Sequence, residues 1–251
     1  MGKKILILIG SRNVNGNTAK FANKILNFLD NNYEKEFIFP QDLSLNAIDG
    51  SNFYFTDLNY NATTSLKTLE KKILRADILI VASPVYVHSF SSDLKLLIEN
   101  LASWAHTLRL QGKPTVVLST CGSNGFDTVI KPLSEVLTFM GANIIATANA
   151  SQIPNQINND DWLNEVGNTI AQRIENYILK GPESNKFLEQ VFQSNKNSIL
   201  DQKSLQIKHK INVSELGELK FWEDTGMINF DSFQDYLNNQ RGVTENGSKN
   251  V

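Results

Sequence analysis

Residues 3–18 read KKILILIGSRNVNGNT, a short apolar run that passes through Gly10 into a polar loop. Five consecutive aliphatic residues fit a strand that is buried on both faces of a parallel sheet. Behind the loop, apolar residues recur at helical spacing up to Leu29, and Asn17 or Thr18 is predicted to cap that helix. Strand, loop and helix together predict the first half of a βαβ unit.

The same alternation continues along the chain to about residue 180. Further strands are predicted at residues 36–39, 78–82, 115–119 and 143–148, and helices at residues 18–29, 66–74, 94–101, 129–140 and 162–177. Five strand–helix pairs predict an α/β fold with a doubly wound, five-stranded parallel sheet, because right-handed crossovers place helices on both faces. Periodicity leaves the strand order open. In either common order, a ligand crevice lies at the carboxyl ends of the strands.

Composition narrows the class of protein further. The apolar content of 41% indicates a globular chain, and no apolar run approaches the ~18 residues of a membrane span, so we expect no membrane partner. The 24 basic and 26 acidic residues give a net charge of −2, which argues against a nucleic-acid partner. One cysteine excludes an internal disulfide, and no cluster has metal-ligand spacing, so we expect a cytoplasmic protein without a metal.

The loop after the first strand has the chemistry of a phosphate site. Small hydroxyl and amide residues at a helix start leave backbone N–H groups free for an anion, which the helix dipole also favours. The candidate side-chain donors are Ser11, Asn15, Asn17 and Thr18, with Arg12 as a charged supplement. The loop lacks both the lysine of a Walker loop and the second glycine of a dinucleotide fingerprint. Of the phosphate ligands considered, a terminal monophosphate remains, and the alternative is that the loop is an ordinary polar turn without a ligand.

The loop after the third predicted strand offers surface for a planar ligand. Pro84 fixes the backbone directly behind the strand, so the next residues turn across the strand ends. Tyr86 and Phe90 supply aromatic faces. Tyr86 and His88 are the only candidates here for a catalytic proton donor, and the alternative for each is an ordinary surface position.

Three stretches carry a family resemblance: Gly10-Ser11-Arg12 with Gly16-Asn17-Thr18, Ser83-Pro84-Val85-Tyr86 with Leu94-Lys95 and Ile98-Glu99, and Thr120-Cys121-Gly122-Ser123. Over about the first 150 residues, the sequence resembles the flavodoxin-like NAD(P)H-dependent FMN reductases and their quinone-reductase and iron–sulfur flavoprotein relatives. The resemblance implies FMN, with its phosphate at Ser11, Asn17 and Thr18. It also implies a ring site at Pro84, Val85 and Tyr86, closed by Thr120, Gly122 and Ser123.

The resemblance implies an oxidoreductase that moves hydride from NAD(P)H to FMN and electrons on to a small-molecule acceptor. That acceptor would be a quinone, an azo or nitro compound, or a flavin. The alternatives are a flavodoxin-type electron carrier and a cofactor-free interaction protein. Iron–sulfur relatives carry a cysteine motif between the second strand and second helix, but residues 42–64 contain no cysteine, so no cluster is expected there. For Cys121, a binding or packing role is favoured over a nucleophile.

Gly181-Pro182 marks a boundary between a domain at residues 1–180 and an extension at residues 181–251. The extension shows one short amphipathic stripe at residues 187–192 and a cluster of aromatic residues near its end. So few secondary elements predict no independent core, and its apolar groups are therefore expected to pack elsewhere. We expect a dimer arm or a lid over the crevice in a homodimer or higher homo-oligomer. The alternative is a tail wrapped around its own domain.

Overall fold

The computed structural model describes residues 2–48 and 62–247, with side chains described up to residue 241. Its five parallel strands are β1 (Lys4–Ile9), β2 (Glu34–Ile38), β3 (Ile78–Pro84), β4 (Pro114–Cys121) and β5 (Asn143–Ser151). The helices are α1 (Asn17–Leu26), α2 (Thr64–Arg75), α3 (Ser92–Asn100), α4 (Trp104–Thr107), α5 (Asp127–Phe139), α6 (Asp160–Lys180), α7 (Lys186–His209), α8 (Gly217–Asp224) and α9 (Phe233–Gly247).

The sheet has the order β2-β1-β3-β4-β5, with every neighbouring pair parallel. This is the flavodoxin-like order of a doubly wound sheet, and its winding reverses between β1 and β3. The predicted α/β fold is therefore confirmed, and the structure supplies the order that periodicity could not give. The switch point brings the loops after β1, β3 and β4 to one edge of the sheet.

Each face of the sheet buries its own apolar cluster. One cluster packs α1 and α6 on the sheet, with Phe21, Ile25 and Ile174 fully buried. The other packs α2, α3 and α5 on the opposite face. Gly10 sits at a close approach, since a Cβ there would lie 2.9 Å from Ser91 Oγ and 3.3 Å from the Ala82 carbonyl oxygen. A side chain at position 10 would therefore push α3 away from β1.

Two differences between the predicted and the observed elements bear on the crevice. Helix α1 begins at Asn17 with Gly16 as its N-cap residue, and no side chain caps it, so the predicted cap by Asn17 or Thr18 does not form. Strands β3 and β4 continue two residues beyond their predicted ends, because Ser83 pairs with Ser119 and Pro84 with Thr120 in the ladder between them. Pairing across strands is a tertiary effect, which local sequence does not report.

The extension has far more structure than its sequence predicted. Beyond α6, the 24-residue α7 packs with α8 and α9 around a third apolar cluster that contains Phe192, Trp222, Phe233 and Tyr236. The expectation of too few elements for a core of its own is therefore wrong. Leu108 is the one buried member of this cluster that comes from the chain before residue 181.

Contacts place the extension at the amino ends of the strands. Asn195 Nδ2 donates to the Ala105 carbonyl oxygen at 3.0 Å, and Trp222 Nε1 donates to the His106 carbonyl oxygen at 2.8 Å. A Cβ at Gly112, just before β4, would lie 2.6 Å from Leu237 Cδ1. These contacts lie at the edge of the sheet opposite to the loops after β1, β3 and β4, so the described part of the extension does not cover its own chain's crevice.

The boundary of the extension has a clear local cause. Helix α6 ends at Lys180, where Gly181 adopts a φ of 76° and donates its N–H to the Tyr177 carbonyl oxygen. The left-handed backbone suits glycine, and Pro182 then prevents the helix from continuing. None of the helices in the described ranges is long and apolar enough to cross a membrane.

Candidate functional site

A cleft of about 360 Å³ opens at the carboxyl ends of β1, β3 and β4. Its volume falls in the range of small-molecule sites. Four chain segments line it: the loop after β1 with the first residues of α1, the chain at the end of β3, the chain at the end of β4, and Gln152 after β5. The lining residues are Ser11, Asn13, Asn15, Gly16, Asn17, Thr18, Pro84, Val85, Tyr86, Thr120, Cys121, Gly122 and Gln152.

The first segment folds into a tight loop through its own polar groups. Ser11 Oγ accepts from Asn13 N at 3.3 Å, Asn13 Oδ1 accepts from Asn15 N at 3.0 Å, and Gly16 N donates to the Asn13 carbonyl oxygen at 2.9 Å. A Cβ at Gly16 would lie 3.0 Å from that carbonyl oxygen, so the turn leaves little room for a side chain.

The amino end of α1 faces this cleft without a side-chain cap. The first amides of a helix have no partner within the helix, and the helix dipole makes this end electropositive. Ser11, Asn15 and Asn17, which have hydroxyl or amide side chains, line the same cleft. The arrangement suits an anion of phosphate size.

A buried hydroxyl pair joins the first segment to the third. Thr18 Oγ1 and Thr120 Oγ1 lie 2.7 Å apart, and both residues are buried. One hydroxyl must donate to the other, which uses one of the two hydroxyl hydrogens. Neither hydroxyl has a further partner among the described hydrogen bonds, so the pair links the two segments while one hydroxyl hydrogen remains able to donate.

The second segment forms a projecting turn behind β3. Val85 N donates to the Thr120 carbonyl oxygen at 2.8 Å, and Tyr86 and Ser89 exchange two backbone hydrogen bonds of 2.9 and 3.0 Å. Val87 at the tip has a φ of 49° and is 98% exposed. This conformation is unfavourable for a β-branched residue. The turn holds Tyr86 at the mouth of the cleft, with 58% of its surface exposed.

His88 lies in the same turn, with a φ of 53°. It does not line the cleft, and its ring lies near Gly125, where a Cβ would be 3.1 Å from Nδ1. Of the two candidates for proton transfer, only Tyr86 is brought to the cleft.

The third segment continues from β4 and is supported by the chain after β5. Gln152 N donates to the Cys121 carbonyl oxygen at 3.0 Å, and Ile153 N donates to the Gly122 carbonyl oxygen at 2.8 Å. A Cβ at Gly122 would meet no atom within 4 Å, so this backbone is open to a ligand. Ser123, although predicted, is not among the described lining residues.

Arg12 is directed away from the predicted phosphate site. Its guanidinium makes two hydrogen bonds to Asp93, Nε to Oδ2 at 2.9 Å and Nη2 to Oδ1 at 2.7 Å. The hydrogen bonds and charge of Asp93 raise the pKa of Arg12. In the described structure Arg12 therefore ties the first loop to the start of α3 and does not line the cleft.

The sequence did not single out Asn13 and Gln152 as lining residues. Asn13 belongs to the predicted phosphate loop, where its amide shapes the turn. Gln152 follows β5, and the adjacency of β5 to β4 could have drawn attention to it once the strand order was known. Within the described ranges, no group of three or more His, Cys, Asp or Glu residues could hold a metal ion.

Comparison with known proteins assigns this arrangement to a family. The model of the NADPH-dependent FMN reductases matches residues 3–154, which include every lining residue of the cleft. An iron–sulfur flavoprotein of Methanocaldococcus jannaschii is 27% identical over 133 residues, or 52% of this chain and 69% of that protein. The NADPH-dependent FMN reductase of Escherichia coli K12 is 34% identical over 111 residues, or 42% of this chain and 56% of the enzyme.

Among solved structures, RosB with bound 8-demethyl-8-formylriboflavin-5'-phosphate has the same fold, with a TM-score of 0.57 and 17% identity. The similarity covers 71% of this chain and 79% of RosB. At that level of identity, the structural match supports the fold alone. The sequence match over more than half of the chain goes further, and on it this protein belongs to the family of NADPH-dependent FMN reductases, which use FMN and NADPH.

Proposed function

We propose that this protein binds FMN in the cleft, oxidises NADPH or NADH and passes the electrons to a small-molecule acceptor. The acceptor would be quinone-like, an azo or nitro compound, or a flavin. Membership of the NADPH-dependent FMN reductase family supports the use of a reduced nicotinamide and of FMN. The observation that carries the proposal is the cleft itself, in which the uncapped amino end of α1 lies beside the carboxyl ends of β3 and β4.

The proposed phosphate site consists of the first amides of α1 with Ser11, Asn15, Asn17 and Thr18. These groups are neutral donors, and the helix dipole supplies partial positive charge, so a phosphate is stabilised without a basic side chain in the cleft. Arg12 has no direct role in this proposal because Asp93 holds it elsewhere. Asn13 shapes the loop.

The proposed ring site lies between Pro84, Val85 and Tyr86 on one side and Thr120 to Ser123 on the other. When bound, FMN supplies the hydride and electron chemistry, and the protein orients it and excludes water. Backbone N–H groups near Gly122 are the proposed donors to the ring, since a Cβ at this position would meet no atom within 4 Å. They would favour negative charge on the reduced ring in the manner of an oxyanion hole.

An electron carrier without a substrate of its own is the second candidate, because it would use the same cleft. A net charge of −2 gives little long-range steering toward a basic partner protein, which favours the enzyme. A cofactor-free interaction protein is the third candidate. An iron–sulfur cluster is not proposed, because the chain has one cysteine and such clusters are held by several cysteine thiolates.

Two measurements test the proposal. FMN added to the purified protein should bind at one site per chain, as followed by flavin absorbance and fluorescence, and FAD should bind more weakly. The FMN-loaded protein should then oxidise NADPH or NADH in the presence of menadione, an azo dye or riboflavin. Tight binding of FMN without turnover would favour the carrier, and no FMN binding would leave the interaction protein.

The division at residue 180, the dimer-arm role of the extension, the homo-oligomeric state and the cytoplasmic location stay predictions. The division at residue 180 gains support from the separate apolar cluster of the extension.

A further inference from the structure

Asn149 in β5 connects two residues of β4 that lie on the same face of the sheet. Its Oδ1 accepts a hydrogen bond from Ser119 Oγ at 2.5 Å, and its Nδ2 donates to Cys121 Sγ at 3.4 Å. Ser119 is the direct ladder partner of Asn149, and it is fully buried. The amide is thus held at both ends, one by a hydroxyl donor and the other by a sulfur acceptor.

This arrangement fixes how the thiol of Cys121 is used. A thiol has one weak donor, its S–H, and a weak acceptor, its sulfur. Because the sulfur accepts from Asn149, the hydrogen is left to point elsewhere. Among the described residues, no hydrogen bond uses the S–H of Cys121, which is 95% buried and lines the cleft.

We propose that Asn149 is a positioning residue, which holds Cys121 so that its S–H donates a hydrogen bond to an acceptor atom of the bound flavin ring. Ser119 keeps the Asn149 amide in the orientation that this requires. The proposal gives the third segment a side-chain donor beside its open backbone at Gly122. It rests on the proposed function, since it requires the flavin to occupy the cleft.

The chain has a single cysteine, so its infrared S–H stretching band reports Cys121 alone. In the wild type, FMN should shift this band to lower frequency, because the thiol gains an acceptor. In Asn149→Leu the shift should be smaller, because the thiol is no longer held toward the cleft. The exposed Asn158 bonds Asn155 outside the cleft, so Asn158→Leu is the matched control and should behave as wild type.

A double-mutant cycle on the FMN dissociation constant supplies the second readout. Cys121→Ala should weaken FMN binding by about two- to tenfold, the range of one net hydrogen bond. Asn149→Leu should weaken it to a similar extent, and the double variant should be no weaker than Cys121→Ala. Cys121→Ser should restore affinity, because a hydroxyl can donate in the same place. Thermal unfolding of each variant without FMN checks that the fold is retained.

The outcomes separate this inference from the function on which it rests. If the wild type binds FMN but its S–H band does not move, or if the two single losses add in the double variant, Asn149 does not position a donor. If the wild type does not bind FMN at all, the proposed function is wrong, and this inference is overturned with it.

Discussion

The contact between His106 and Glu218 offers a measurable test of how the extension is attached. His106 Nδ1 lies 2.8 Å from Glu218 Oε1, and Gln202 Nε2 donates to the other carboxylate oxygen at 3.1 Å. The Glu218 side chain is only 3% exposed, whereas that of His106 is 56% exposed. The substitution His106→Ala would leave a buried carboxylate with the Gln202 amide and should loosen the contact between α4 and α8.

The magnitude follows from these exposures. A hydrogen bond to a charged group contributes about 1.5–3 kcal/mol, and solvent screening at the half-exposed imidazole reduces this to about 1–1.5 kcal/mol. For a chain of this size, each kcal/mol shifts the melting temperature by about 2–4 °C. His106→Ala should therefore lower the melting temperature by about 2–6 °C in acidic buffer.

The loss should depend on pH in one direction. The hydrogen bond to Glu218 and its negative charge raise the pKa of His106 above 6.5, against an opposing effect of burial. A raised pKa in the folded state means that the stabilisation is complete below pH 6.5 and declines as the pH rises through the folded pKa. The difference in melting temperature between wild type and His106→Ala should thus be largest near pH 6 and shrink toward pH 9.

Differential scanning fluorimetry across this pH range is the assay. His209→Ala, at the exposed end of α7, is the matched control and should change neither the melting temperature nor its pH dependence. Glu218→Gln should remove most of the pH dependence, since the carboxylate is its cause. A loss in His106→Ala that is constant from pH 6 to pH 9, or that grows with pH, would refute the ion-pair argument.

Four further predictions concern other parts of the chain. Asn17→Ala should weaken FMN binding about tenfold or more, with little change in the melting temperature of the flavin-free protein, as measured by titration and scanning fluorimetry. Thr18→Val should lower both the affinity for FMN and the melting temperature of the flavin-free protein, because it also breaks the hydroxyl pair with Thr120. Burial lowers the pKa of Lys113 to about 8, so the stability of wild type relative to Lys113→Met should rise between pH 8 and 10 in urea titrations. Truncation after Lys180 should expose Leu108, lower stability and give a more monomeric protein by size-exclusion chromatography.

The sequence predicted the sheet well because each element carries its own local signal. Residues 5–9 are all apolar, and the apolar spacing of α1 or α6 has a helical period, so burial alone determines both. The ends of β3 and β4 were missed because ladder pairs such as Pro84 with Thr120 form between segments 36 residues apart. The phosphate loop was found from composition. The sequence did not reveal the partner of Arg12, because Asp93 lies 81 residues further along the chain.

The extension was underestimated for a different reason. In α7 the buried residues Leu188, Val191, Phe192 and Ile199 follow a helical period, but polar residues occupy most positions after Phe192. The stripe therefore looked shorter than the helix. The signal that could have extended it was Ile199, which lies two helical turns after Phe192 and is buried in the same cluster, whereas the cap by Asn185 marks only the start of the helix.

The position of the extension limits how it can affect the flavin site. It docks on residues 105–112, at the amino ends of the strands, and the cleft lies at the carboxyl ends of the same parallel strands. Several elements join these edges: α3 runs from the cleft side to the docking region, β4 runs back to Cys121, and β5 runs from Asn143, which accepts a hydrogen bond from Asn185, to the residue before Gln152. Within one chain, the described part of the extension can therefore act on the cleft through these elements rather than by direct contact. A direct lid would require the extension of a second subunit, so the predicted arm and any lid role depend together on the oligomeric state.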